Sequence, residues 1–354
     1  MTQSYFHRLH GETPTRLWIN NPTLEEADQA IAAGAISCTT NPSYSARVLK
    51  MEPRRAIQAI HAAIQESSDD HRAADLAQQK IVQEIMEKFL GLYEREPRRQ
   101  GLVSIQGDPR RDDDPDHIVD EALRFRNLSS NFITKIPCTA AGLRAFEKLI
   151  PADMPIIATE VFAMAQATAV CELYRRISRQ CGKHPAFYVT HISGIFDECL
   201  AKTAEREGIQ VSEPALAQAG CILAKRQYAM MQSRGYDVTL LGGGARGTHH
   251  FTEMVGGAVH VTINWSTAEE IIKADPPIVS RIETATPQSV VEELCDKLPD
   301  FRKAYLDDGL AIEEFADFTP LQYFRNMFVK GWDTLANAVR EQRSKILTTT
   351  AEGR

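Results

Sequence analysis

Asn131-Phe132-Ile133-Thr134-Lys135-Ile136-Pro137-Cys138-Thr139 is a short apolar run with a lysine near its C-terminal end. Continuous apolar runs of this length, in place of strict alternation, mark strands covered on both faces. Phe132–Ile136 is one of eight such runs. The others are Arg16–Asn20, Ala35–Thr40, Leu102–Gln106, Pro155–Thr159, Ala186–Thr190, Val238–Leu241 and Val259–Ile263. Each precedes a helical or helix-compatible segment. Strands alternating with helices imply a parallel sheet, and eight such units predict a single closed (β/α)8 TIM barrel in the α/β class.

Between these units the chain carries elaborations. Asn21-Pro22-Thr23-Leu24-Glu25-Glu26 is a helix start, with Thr23 as cap and two glutamates at the positive helix end. The segment 43–99 predicts two or three amphipathic helices between strands two and three, and 192–236 predicts two more between strands six and seven. A helix is expected around 268–273. Residues 1–280 are read as the barrel and 281–354 as a helical extension packed on it through Phe315, Phe318, Tyr323, Phe324, Phe328, Trp332 and Leu335. The last few residues are expected to fray.

A net charge of −7 argues against nucleic acid or an anionic membrane as the main partner. The seven cysteines are scattered with no CxxC pair, which fits reduced thiols in a cytoplasmic protein and no zinc ribbon. Residues 1–16 lack the apolar core of a signal peptide, and no apolar run is long enough to span a bilayer.

Chemistry in such a barrel sits at the C-terminal ends of the strands. Those ends supply Asn20, Asn41, Gln106, Lys135, Thr159, Thr190 and the turn Gly242–Arg246. The set is rich in amides and hydroxyls, with one amine and one guanidinium. It has no metal-ligand spacing, and no P-loop or GxSxG elbow. A buried lysine loses part of its preference for the charged form, and a free-base amine attacks carbonyls to form a Schiff base. An edge lysine that snorkels to water is the alternative. Asn41 before Pro42 also suits an Asx turn. Gly242–Thr248 reads as an anion-binding turn or a plain flexible loop.

These residues resemble the transaldolase family, including its fructose-6-phosphate aldolase branch. The likeness is carried by Thr39-Thr40-Asn41-Pro42-Ser43, Lys135-Ile136-Pro137-Cys138-Thr139, Ala158–Gln166 and Val103-Ser104-Ile105-Gln106, and runs through most of residues 15 to 275. The resemblance implies a Schiff base on Lys135 and cleavage of the adjacent carbon–carbon bond. A three-carbon unit would then pass from a ketose or ketose phosphate to an aldehyde. Asn41, with Thr39 beside it, would bind sugar hydroxyls. Gln106 and Thr159 would hold the catalytic water, Thr190 would line the pocket, and Arg246 beside Gly244 would bind phosphate. No cofactor or metal is required, the partner is a small sugar or sugar phosphate, and a homo-oligomer is possible.

The chain departs from that pattern. Asn20 replaces the acid/base Asp, Gln106 replaces a Glu, and Ile195 replaces a second phosphate-binding Arg. Ile192 replaces an aromatic residue, Ile157 an Asn, and Gly244 a Ser. An amide cannot carry a proton. His191 is the first substitute, with Asp108 and Glu160 as others, although strand alternation predicts that Glu160 points away from the pocket. Cys138 is read as a packed thiol. His249-His250 is read as surface, and so are Arg54-Arg55, Arg98-Arg99 and Asp112–Asp114. Alternatives to transaldolase or aldolase chemistry are a sugar-binding barrel without turnover and another imine-dependent reaction.

Overall fold

Both faces of the strand that carries Lys135 are buried along its whole length. The computed structural model describes residues 4–352, with side chains as far as Thr348. The expected fraying of the last few residues falls largely outside that range. Eight parallel strands pair in chain order and close on themselves. They are β1 (Arg16–Asn20), β2 (Ser37–Thr39), β3 (Val103–Gln106), β4 (Phe132–Pro137), β5 (Ile156–Val161), β6 (Phe187–Ile192), β7 (Thr239–Gly243) and β8 (His260–Ile263). β8 returns to β1 with Ile263 opposite Ile19. The closed barrel leaves no sheet edge, which is how an apolar parallel sheet avoids pairing with a foreign strand.

Alternation along β4 divides its side chains. Phe132 and Ile136 join the main core between barrel and helices. Ile133 joins a separate cluster with Trp18, Ile157, Tyr188 and Leu241, each from a different strand, and with Leu102 just before β3. That cluster fills the barrel interior, so Lys135, two residues beyond Ile133, points inward above an apolar floor. In the floor, Trp18 packs edge-on against Tyr188 with ring centroids 5.0 Å apart.

The start of the first barrel helix forms as its residues dictate. Thr23 Oγ1 accepts from the Glu26 backbone N–H at 3.1 Å, and Glu26 Oε2 accepts from the Thr23 N–H at 2.7 Å. The first excursion holds three helices, Tyr44–Met51, Pro53–Glu66 and Asp70–Arg95. The second holds Ser193–Glu207 and Ala219–Ser233, with a single turn at Glu213–Leu216 between them. The helix after β8 runs Trp265–Ala274. A helix at Tyr5–Glu12, absent from the sequence reading, buries Tyr5, Phe6 and Leu9. No helix among the described residues is long and apolar enough to cross a membrane.

The C-terminal extension ends in one long helix, Thr319–Glu352, which packs on the helices of both excursions and on β5. Its own Phe328, Trp332, Leu335 and Val339 are buried on its inner face. Three groups read as surface are in fact interior. Asp112 pairs with Arg325 of this helix at 2.8 Å. Arg55 is held by Glu52 and Glu84. His250 is 3% exposed. Each is covered by a helix far away in sequence, which local charge patterning does not register.

The long helix docks closely on the loop after β2. Ser43 Oγ donates to the Met327 carbonyl at 3.1 Å. A Cβ added at Gly331 would lie 2.6 Å from Ser43 Cα. Gly331→Ala is therefore expected to destabilise the protein by about 1–3 kcal/mol through overpacking. Urea denaturation checks this, and an unchanged midpoint would show that the helix seats elsewhere.

Candidate active site

At the C-terminal ends of the strands lies a cavity of about 230 Å³ whose walls include Asn20, Thr39, Asn41, Lys135, Thr190, Gly244 and Arg246. Phe324, Met327 and Phe328 of the C-terminal helix close it from above. A larger cavity of about 530 Å³ opens at the opposite barrel end beside Arg16, Arg98 and Arg99, but no lysine lines it. The barrel's own geometry favours the smaller one, because it contains the residues at the strand ends.

Lys135 is 6% exposed. Its Nζ sits 5.7 Å from the centre of the Phe328 ring. Burial pushes its amine down to about 8, against the opposing pull of Glu160. Burial thus raises the share of free base, the nucleophilic form, above that of an exposed lysine.

Asn20 and Thr39 belong to a ring of amides and hydroxyls. Thr39 Oγ1 donates to Asn20 Oδ1 at 2.9 Å and lies 2.7 Å from Thr262 Oγ1. Asn20 Nδ2 donates to Asn264 Oδ1 at 3.0 Å. This ring can hold hydroxyls but cannot take up a proton. Asn41 serves two ends at once: Oδ1 accepts from the Ser43 N–H at 3.0 Å, closing the turn, while the residue lines the cavity.

Gln106 and Thr159 lie at the same strand ends, behind the cavity wall. Gln106 Nε2 donates to Glu160 Oε1 at 3.0 Å. Gln106 Oε1, Thr159 Oγ1, Glu160 Oε2 and Thr190 Oγ1 are buried without a protein hydrogen-bond partner. Buried polar atoms are nearly always paired. These four are suited to a water or a substrate hydroxyl.

The alternation expected to turn Glu160 away from the pocket fails. Glu160 takes φ +59°, and the pairing of β5 with β6 shifts between Ala158 and Val161. A bulge of this kind re-aims a side chain. Burial, then the Asp112 charge, raises the Glu160 carboxyl to about 8.

His191 does not face the cavity. Its Nδ1 lies 3.3 Å from Gln227 Nε2 and its Nε2 2.9 Å from the Gly220 carbonyl. Both partners lie on the helix Ala219–Ser233, so His191 is a packed neutral imidazole. Burial lowers it to about 4. Asp108 does not fold inward either, because it is tied to Arg110 at 3.0 Å. Cys138 is a buried thiol, as read.

At the turn after β7, where the family resemblance implies phosphate binding, the basic group is already engaged. Arg246 Nε donates to Glu198 Oε2 at 2.8 Å. Burial alone would raise the Glu198 carboxyl, but hydrogen bonds from Lys202, Tyr323 and Arg246 outweigh it and hold the group at about 2. Gly244 has φ +66°, and a Cβ there would lie 2.5 Å from Ile192 Cγ2 and 3.0 Å from Ile195 Cγ1. The two isoleucines fill the space of a side chain beside the turn. Cys221, His249 and His250 bring ligand atoms within 4.8 Å of one another. However, His250 is engaged by Asp197 at 2.8 Å and by the Arg246 N–H at 3.3 Å, and His249 by the Ala217 carbonyl at 2.9 Å. That set is a hydrogen-bonded cluster supporting the turn.

The sequence model of the Transaldolase/Fructose-6-phosphate aldolase family matches residues 17–318. A transaldolase of Thiobacillus denitrificans is 31% identical over 168 residues, covering 45% of this chain and 46% of that protein. One from Saccharopolyspora erythraea is 27% identical over 164 residues, covering 45% and 43%. One from Mycobacterium tuberculosis is 23% identical over 218 residues, covering 55% and 54%. The chain spans about half the length of the curated relatives it matches. The family match stops just before the helix that supplies Phe324, Met327 and Phe328.

The buried carboxyl has a consequence for stability. Glu160 holds its proton from its ordinary 4.5 up to about 8 in the folded state. Over that window the folded protein binds more protons than the unfolded one, so the contribution of Glu160 to stability falls as pH rises. Glu160→Gln removes this titration. The variant is expected to gain stability relative to the parent between about pH 5 and about pH 8 in urea denaturation. A constant difference across that range would contradict the burial argument.

Proposed function

The chain belongs to the transaldolase/fructose-6-phosphate aldolase family, and on that premise we propose that it is a Schiff-base enzyme moving a three-carbon ketol unit. The donor is a ketose or ketose phosphate. The unit passes to an aldehyde acceptor, or is released where water serves instead. The observation that carries this reading is an inward-facing, buried amine at the C-terminal end of a barrel strand, ringed by hydroxyls and amides.

The Lys135 free base attacks the donor carbonyl, and loss of water leaves the imine. The iminium then draws electrons from the neighbouring carbon–carbon bond, the remainder of the donor leaves as an aldehyde as its hydroxyl proton passes to water, and the three-carbon fragment remains as an enamine. Asn41 and the Asn20–Thr39–Thr262–Asn264 ring offer donors and acceptors to the hydroxyls of that fragment. Thr159 and Gln106 present unpaired oxygens to a water near the amine. The roof of Phe324, Met327 and Phe328 shields the imine from bulk solvent.

Borohydride reduction with a panel of ketoses, followed by intact mass and peptide mapping, tests this directly. A three-carbon or whole-sugar adduct on Lys135 is expected, and Lys135→Ala should lose both adduct and turnover. Turnover surviving in that variant would end the reading. A second reading, a sugar-binding barrel without turnover, is favoured by the amide at Asn20. It predicts ligand-induced stabilisation with no acceptor-dependent product.

The pairing of Arg246 with Glu198 supports a donor whose far end carries little or no charge. Glu198→Ala would free the guanidinium, and a charge-assisted contact is worth about 1.5–3 kcal/mol. The KM for a ketose phosphate is then expected to fall by about tenfold or more, with that for the unphosphorylated ketose unchanged. Equal effects on both substrates would remove Glu198 from the question of phosphate.

A further inference from the structure

β5 breaks its regular pleat at one residue. Glu160 has φ +59°, inside the left-handed region that a residue with a Cβ rarely adopts. That conformation is strained and persists only where the surroundings over-determine it.

That strain places the carboxyl in a specific position. Glu160 Oε1 accepts from Gln106 Nε2 at 3.0 Å. Gln106 belongs to β3 and Glu160 to β5, with β4 between them. In the sheet, Gln106 is in register with Lys135, and Thr159 with Pro137. Neighbouring strands lie about 4.8 Å apart, so the two side chains meet across two strand spacings. Their hydrogen bond therefore spans the end of β4 that presents the Lys135 amine.

The groups facing this carboxyl come from every element around it. They are the Lys135 amine on β4, the Gln106 amide on β3, Asp112 on the loop after β3, and Arg325 on the C-terminal helix. The Cys138 thiol lies just beyond β4. Arg325 is committed to Asp112 through contacts of 2.8 and 3.0 Å. Glu160 is fully buried, and its Oε2 has no partner. A buried carboxyl without a paired cation holds a proton.

We propose that Glu160 is the acid–base partner of Lys135, giving up a proton when the imine forms and recovering it when the imine is hydrolysed. This rests on the imine reading of Lys135. The amine nitrogen bonds to the donor carbonyl carbon, the carbonyl π pair moves to oxygen, and one proton passes from nitrogen to that oxygen. The result is a neutral carbinolamine. Glu160 then protonates the hydroxyl. The C–O bond breaks with its pair leaving in water, and the nitrogen lone pair forms C=N. The products are a cationic iminium, one water and the Glu160 carboxylate. Hydrolysis runs the same steps backward. Other acids do not compete: Asn20 cannot carry a proton, His191 faces another helix, and Asp108 and Asp112 are held by arginines.

The test is the single-turnover rate of borohydride-trappable adduct formation from about pH 6 to about pH 10. It compares the parent protein with Glu160→Gln, Glu160→Gly and Glu160→Asp. The reactive state, neutral amine with protonated carboxyl, holds one proton in the pair, so the parent should give a bell-shaped profile. Glu160→Gln and Glu160→Gly should slow imine formation by about 10²–10⁴-fold and leave a rate that only rises with pH. Glu160→Asp should recover part of the rate. The glycine variant suits the left-handed backbone, so it is expected to fold.

A folded glutamine or glycine variant within about threefold of the parent, with the same profile, would overturn the proposal. If neither variant folds, the parent profile decides: a bell supports Glu160, and a monotonic rise removes it. No adduct in the parent removes the imine reading itself, whereas an adduct there with unaltered variants removes only the role of Glu160.

Discussion

The structure is organised around keeping one primary amine out of water. An ammonium group buried without an ion pair is unfavourable, so the surroundings of Lys135 shift it toward the neutral base. The apolar floor of Trp18, Leu102, Ile133, Ile157, Tyr188 and Leu241 blocks water from below. The C-terminal helix places Phe328 over the amine from above. β4 itself is buried on both faces, which fixes its register in the sheet and hence the depth of Lys135.

The helix that forms the roof is as much a part of the site as the strands. It reaches the loop after β2 through Ser43 and the Glu160 neighbourhood through Arg325 and Asp112. It also reaches the Arg246 end of the site through Tyr323, which donates to Glu198 at 2.5 Å. One helix thus adjusts water access, carboxyl protonation and the charge available to a substrate tail. These effects are coupled because they share a rigid element, and tilting that helix would change all three.

The charges at the strand ends are arranged differently from what the amide at Asn20 alone would imply. The titratable carboxyl near the amine is Glu160, on the far side of β4 from Gln106 and placed there by a bulge in β5. The guanidinium of Arg246 is balanced by Glu198, and two isoleucines occupy the space beside Gly244. Amides and hydroxyls therefore outnumber available charges at the strand ends, and the one guanidinium there is already paired.

Periodicity and residue type in the chain were enough to determine the eight strands and their parallel order, and they put Lys135 at a strand end without deciding whether it faced inward or water. Apolar runs and capping residues are local signals, and β1 and the Thr23 cap formed where those signals placed them. What depended on distant contacts was not legible. Alternation put Glu160 outside because a left-handed residue in a strand has no local signature. His191 looked like a base because its partners, Gly220 and Gln227, lie some thirty residues away. Asp112 and Arg55 looked like solvated charges until helices far off in the chain covered them. Sequence determined which groups exist at the barrel mouth. Tertiary structure decided which of them lose water, because desolvation is a property of everything packed around a group and not of its neighbours along the chain.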